Sequence, residues 1–156
     1  MLCKTHIAGG ITAALLYKNL CNVPIDQMVL LIPSGIIGSL IPDLDSKNSK
    51  LNQKLQVTKI FSLCKHRGIM HTPILYAILW LISLFLVQNS IVRIVIYGLL
   101  LGVLSHLILD MLNPMGIRVF YPIGPRIRLA KIRTGSKGEN IVFVMCIMVC
   151  IIAIFL

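Results

Sequence analysis

Residues 91–112 read IVRIVIYGLLLGVLSHLILDML, and this stretch decides the class of fold. It is apolar almost throughout, with Arg93 near its start and His106 and Asp110 near its end. As a helix rising 1.5 Å per residue it would reach about 33 Å, enough to cross a hydrocarbon core of about 30 Å. The rest of the chain has the same character. Of its 156 residues, 57% are hydrophobic and 13% charged, and the mean hydropathy is +0.90. A soluble domain carries about 25% charged residues. There is too little polar surface here to clothe a globule, so the sequence reads as an integral membrane protein with a single domain over residues 1–156.

Working outward, Pro73–Val87 and Ile141–Leu156 are two further spans, each near the short limit for a crossing helix. Ile7–Tyr17 and Met28–Ile41 are shorter still, and the second is interrupted by Pro33, Gly35 and Gly38. They read either as tilted spans or as a half-spanning pair. The expected fold is therefore all-α, a polytopic membrane bundle of about five hydrophobic helices. Thr72-Pro73 reads as the start of the third, Asn113-Pro114 as the stop of the fourth, and Ser136-x-x-Glu139 as a capping box opening the last. Asp26 reads as a cap of the second. Cys3, Cys21, Cys64, Cys146 and Cys150 form no paired framework, so no disulfide scaffold is implied. The N-terminal stretch lacks a small-residue cleavage site after Tyr17 and does not read as a cleaved signal peptide.

Charge sets the expected sidedness. Thirteen of the fifteen Lys and Arg residues are Lys4 or fall in the Ser46–His71 and Asn113–Glu139 loops, leaving Lys18 and Arg93 for the other face. The positive-inside rule puts both loops in the cytoplasm. In a bacterium this means the inner membrane, with the N-terminus cytoplasmic and the C-terminus outside. The basic excess is read as topology and contact with the lipid bilayer. Nucleic-acid binding is not expected, because the basic loops have few aromatics and no reading motif.

The scarce polar residues then fall at one depth. His6 opens the first segment, Asp43 and Asp45 follow the second, and His66 and His71 precede the third. His106 and Asp110 end the fourth, and Glu139 begins the fifth. His106 and Asp110 are four apart and share a helix face. An ionisable residue in such an apolar run needs a partner and is a functional candidate. Asp43, Asp45 and Asp110 lie at or beyond helix C-termini, where the macrodipole disfavours a carboxylate and a bound cation would relieve it. Imidazole with carboxylate suits zinc, manganese or iron. His6, Asp43, Asp45, His66, His71, His106 and Asp110 are thus candidate ligands, enough for one or two divalent ions, zinc or manganese first. The plain alternatives are a satisfied polar pair for His106 and Asp110, a solvated turn for Asp43 and Asp45, and a capping role alone for Glu139.

Taken together, Thr5-His6, Pro42-Asp43-Leu44-Asp45, His66-Arg67-Gly68-Ile69-Met70-His71-Thr72, Ser105-His106 with Asp110, and Thr134-Gly135-Ser136 with Glu139 resemble the YdjM-type membrane-bound, metal-dependent hydrolases, some described as LexA-regulated. The resemblance runs from about residue 4 to residue 140. Met70 and Thr72 stand where that family often has Thr and Ser, and neither is a candidate ligand. The resemblance implies a metal and hydrolysis, and leaves the substrate undefined.

The expected function is a hydrolase at the cytoplasmic membrane face, using metal-activated water on a phosphoester of a lipid or lipid-linked substrate. Asp45 and Glu139 are the candidate proton relays. Arg67, Arg126, Arg128 and Arg133 are candidate phosphate contacts. Two other readings remain open: a divalent metal transporter or channel, and a non-catalytic subunit whose metal only fixes the fold. The oligomeric state is not readable from the sequence.

Overall fold

The computed structural model describes residues 1–45 and 69–156. Among these are five α-helices: α1 (Cys3–Cys21), α2 (Ile25–Gly38), α3 (Pro73–Leu86), α4 (Ser90–Met111) and α5 (Lys137–Phe155). Short 3-10 turns cover Ile41–Asp45 and Ile69–His71, and β1 (Ile117–Arg118) pairs antiparallel with β2 (Arg126–Ile127). The chain is an all-α helix bundle with little strand, as the hydrophobic pattern predicts.

The individual spans differ from expectation in three places. Ile25–Leu44, Ser90–Met111 and Lys137–Phe155 are long and apolar enough to cross a membrane, whereas the apolar helix Pro73–Leu86 is shorter. The second segment therefore gains length that Pro33, Gly35 and Gly38 seemed to deny it, and the third loses some. The first segment grows from Ile7–Tyr17 to a 19-residue helix, about 28 Å long at 1.5 Å per residue. Lys4, Thr5, His6, Thr12, Lys18 and Asn19 dilute its apolar signal, which is why hydropathy alone shows only its middle.

The hairpin between α1 and α2 is closed by Asn22, which adopts the left-handed conformation with φ 49°. That bend lets the Val23 amide donate to Lys18 O at 2.9 Å, a helix-ending pattern suited to Asn. Pro24 is the N-cap of α2, and Asp26 sits in its first turn. Asp26 therefore complements the helix dipole rather than capping the helix.

Helix α2 runs through Pro33 unbroken. Its glycines form the packing surface of the bundle. A Cβ added to Gly10 of α1 would lie 2.6 Å from Gly35 O, and one on Gly98 of α4 would lie 2.7 Å from Leu31 O. Side chains on Gly38 or Gly102 would run into the backbone of Leu99 or Gly35. Helices α1 and α4 thus both approach α2 almost backbone to backbone, the way small residues permit in membranes.

Pairings along the helices fix their directions. Thr5 meets Glu139 and Asn19 meets Ala153, so α1 and α5 are parallel. His6 stacks on His106 and Tyr17 meets Tyr97, so α1 and α4 are antiparallel. The start of α1, the end of α2, the end of α4 and the start of α5 consequently share one end of the bundle. Helix α3 starts there too, with Tyr76 packed against Val103, Leu107 and Ile117.

Burial is inverted relative to a water-soluble protein. Thr5, His6, Ser34, Ser39, His106, Asp110 and Glu139 are buried, while Phe85, Leu86, Met148 and Phe155 are exposed. An apolar outer surface over a polar interior is what a hydrocarbon solvent demands. At the end of α4, Met111 O and Leu112 O accept from the amides of Leu129 and Ile132 at 2.8 and 2.9 Å. The hairpin segment thereby satisfies helix-terminal carbonyls that would otherwise lack partners.

Candidate functional site

Two helices and two 3-10 turns deliver side chains to the shared end. His6 comes from the first turns of α1, Asp43 from the turn after α2, and His71 from the turn before α3. His106 and Asp110 come from the last turns of α4. His6, His71, His106 and Asp110 are buried, all at 1% exposure or less. Asp43 is the member nearest solvent, with its side chain 29% exposed.

The rings gather around one point. His6 and His106 stack with centroids 3.8 Å apart and planes 15° apart, and His71 meets His106 edge-on at 5.4 Å. Asp110 faces all three histidines. Its Oδ1 is 3.7 Å from His6 Nε2, and its Oδ2 is 3.7 Å from His71 Nε2 and 3.8 Å from His106 Nε2. Asp43 Oδ1 approaches His106 Nε2 at 3.8 Å. The Met1 amino group lies 3.1 Å from Asp110 Oδ1.

One hydrogen bond fixes the chemistry of His106. Its Nδ1 lies 2.7 Å from Ser39 O, the carbonyl of the residue that caps the end of α2. A carbonyl can only accept, so Nδ1 carries the proton and Nε2 of the neutral ring presents a lone pair to the two carboxylates. Lone pairs facing carboxylate oxygens need a proton or a cation between them. His6 shows the same deficit more strongly. Both of its ring nitrogens, and His106 Nε2, are buried without a hydrogen-bond partner among the described residues. Buried polar groups are rarely left so.

Among the described residues, two groups could hold a metal ion: His6, His106 and Asp110, and Asp43, His71 and His106, each with ligand atoms within 4.8 Å of one another. Four ligands at about 2.0–2.1 Å around a tetrahedral ion lie about 3.4 Å apart. The 3.7–3.8 Å separations found here are a few tenths longer. The donor set and the spacing fit a divalent ion, and Ser39 O supplies the outer hydrogen bond that orients a ligating histidine. The two groups share His106, whose single available lone pair can serve one ion only.

Other sequence candidates fall elsewhere. His66 and Arg67 lie outside the described residues, and so does the side chain of Asp45, whose backbone closes the turn after α2. Arg126, Arg128 and Arg133 are exposed on β2 and the segment that follows it. Glu139 does open α5, and Ser136 caps it by accepting from the Glu139 amide at 3.4 Å. The Glu139 carboxylate, however, does not complete the capping box. It accepts from Gly135 N at 2.6 Å, from Thr5 Oγ1 at 3.0 Å and from Leu2 N, tying α5 to the start of α1. Sequence reasoning missed Ser39, because a backbone carbonyl leaves no residue signature. It also missed Tyr76, whose hydroxyl donates to Met70 O at 2.8 Å and holds the His71 turn onto α3.

Comparison with known proteins agrees with these motifs. The model of the YdjM inner membrane protein family matches residues 1–156. The chain belongs to the YdjM family. It is similar to the uncharacterized protein YvsG of Bacillus subtilis strain 168, at 34% identity over 89% of this chain and 85% of that one. It is also 31% identical to the inner membrane protein YdjM of Escherichia coli strain K12, over 94% of this chain and 78% of the relative. The YdjM protein of Shigella flexneri matches to the same extent. No solved structure matches. As a YdjM-family chain with three membrane-length apolar helices, it is an inner membrane protein.

Proposed function

We propose that this protein is a membrane-bound, metal-dependent hydrolase whose site opens at the cytoplasmic face of the inner membrane. The supporting observation is the convergence of His6, His71 and His106 on Asp110, with both ring nitrogens of His6 and Nε2 of His106 buried without a hydrogen-bond partner among the described residues. One or two divalent ions, zinc or manganese, would be held by His6, Asp43, His71, His106 and Asp110, with His66 and Asp45 as further ligands. When bound, such an ion lowers the pKa of a coordinated water from about 15.7 towards about 7.

The chain's own residues do the rest. Ser39 O holds the His106 ring in one tautomer and one orientation. A carboxylate of the Ile41–Asp45 turn that holds no ion, Asp43 or Asp45, takes the proton of the attacking water and returns it to the leaving group. Glu139 is an anchor, its oxygens already engaged by three donors. The N-terminus is cytoplasmic and the C-terminus outside, with the basic loops on the cytoplasmic side.

The substrate is a phosphoester of a lipid or lipid-linked molecule. The cluster lies where helices end, close to headgroup depth. Arg126, Arg128 and Arg133 belong to the same end of the bundle and suit a phosphate. Transport is disfavoured by the packing beneath the cluster. Gly10, Gly35, Gly38, Gly98 and Gly102 bring backbones together there, which leaves no ligand-lined path towards the other face among the described residues.

The test is phosphate release by detergent-purified protein from phosphatidic acid and from prenyl diphosphates, each with zinc, manganese or magnesium. Turnover by wild type that falls to background in Asp110→Asn supports the reading. Absence of turnover on every substrate with every metal would overturn it and favour the metal-stabilised, non-catalytic subunit.

A further inference from the structure

A cavity of about 470 Å³ runs between α3 and α4, bounded at its far end by Tyr17 of α1. Its lining is apolar, which by itself is unremarkable in a membrane protein. What gives it meaning is where it begins and ends. At one end stand Pro73, two residues beyond His71, and Leu107, next to His106. At the other stand Tyr17 and Tyr97, packed edge to face with centroids 5.9 Å apart. One end of the cavity is thus level with the histidine cluster along α4, and the other end is aromatic.

Its length carries the argument. Leu107 and Tyr97 are ten residues apart on one helix, about 15 Å at 1.5 Å per residue. That is about half of a 30 Å hydrocarbon core, the depth of one leaflet. The volume lies within the range of small-molecule sites, about 300–1,000 Å³, and suits a slender occupant rather than a whole two-chain lipid. Trp80 on the wall is 49% exposed, so the groove opens sideways towards the bilayer and a chain can enter without leaving the leaflet.

We propose that the α3–α4 groove seats one hydrocarbon chain of a membrane lipid whose polar head lies at the histidine–aspartate cluster. This rests on the hydrolase reading for the identity of the head and defines the substrate class more closely. The scissile bond lies between a chain held along α4 and a head held at its end. Binding energy from the chain, remote from the chemistry, then positions the head. The groove holds its chain whether or not the cluster hydrolyses anything.

Trp80 is the only tryptophan in the chain and lies in the groove wall seven residues from Pro73, about 10 Å from the end level with the cluster. Its fluorescence reads the groove directly. The protein, solubilised in dodecyl maltoside, is titrated with phosphatidic acid carrying one chain dibrominated near its middle. Saturable quenching near one lipid per protein is expected, reversed by equimolar unbrominated phosphatidic acid. Ala77→Phe, which fills the groove, should weaken it at least tenfold. Ile82→Phe, off the groove, should leave it unchanged.

Three outcomes would overturn the proposal. Quenching that rises linearly with the lipid-to-detergent ratio and is not reversed by competitor means bulk contact only. Equal quenching in folded Ala77→Phe means the chain lies elsewhere. No quenching at any ratio means that protein, such as a second copy, covers the groove. The competition arm uses wild type alone, so it decides the matter even if Ala77→Phe fails to fold. Running Asp110→Asn separates the two claims. Saturable quenching there, with no turnover in wild type, keeps the groove and removes the hydrolase; turnover with linear quenching does the reverse.

Discussion

Two buried polar centres sit at the same end of this bundle, and they are built on opposite principles. At Glu139, three donors from three parts of the chain converge on one carboxylate: Leu2 N, Thr5 Oγ1 and Gly135 N. At His106, the Nε2 atoms of His6 and His106 stand 3.7–3.8 Å from carboxylate oxygens of Asp110 and Asp43, beyond hydrogen-bond distance. Both are in the interior, where an unmade hydrogen bond is expensive. The first centre is complete as protein. In the second, the ring nitrogens of His6 and Nε2 of His106 are left without a hydrogen-bond partner among the described residues, and that difference separates an anchor from a candidate site.

The comparison predicts unequal responses to apolar replacement. Glu139→Leu should leave three donors without their acceptor and destabilise the protein by about 3 kcal/mol or more. Thermal unfolding in detergent reads this, and a change below about 1 kcal/mol would deny Glu139 its anchoring role. His6→Leu, measured after chelation, removes two buried nitrogens that have no hydrogen-bond partner among the described residues. It should shift stability by less than about 1 kcal/mol, in either direction. A loss as large as that of Glu139→Leu would mean the histidine cluster is itself a completed structural network.

The smallest effect is expected at the surface. Replacing Arg126, Arg128 and Arg133 together by Ala removes exposed charges from the same end of the bundle. On a phosphoester substrate KM should rise a few-fold with kcat unchanged, since exposed charges at a rim contribute weakly. A collapse of kcat would place these arginines at the reacting phosphate.

Much of the site was legible because its residues are rare in their surroundings. In 156 residues with five acids and four histidines, an i, i+4 pair such as His106 and Asp110 inside an apolar run has few innocent explanations. Asp43 and His71 were legible for the same reason, at the ends of hydrophobic segments. The arrangement of the helices was not. Gly35 and Gly38 look like breaks in a helix when read locally, and only the facing Gly98, Gly102 and Gly10 reveal them as contact surfaces. Sequence spacing does not say which glycines face which.

The full length of α1 was hidden because the residues that dilute its hydropathy, Thr5 and His6 among them, are buried against other helices. The role of Glu139 was half legible. Ser136 announces a cap, and the structure keeps it. The carboxylate's other partners are the Leu2 and Gly135 amides. A backbone amide looks the same in every residue, so nothing in the sequence points to it.

The most direct test of the central claim is elemental analysis of the detergent-purified protein, comparing wild type with Asp110→Asn, His106→Ala and Glu139→Gln. All four proteins are first checked for cooperative unfolding. The account predicts one or two equivalents of zinc or manganese in wild type and in Glu139→Gln, and background levels in Asp110→Asn and His106→Ala. No metal in wild type, even after incubation with zinc and manganese, would contradict it, as would equal metal in all four.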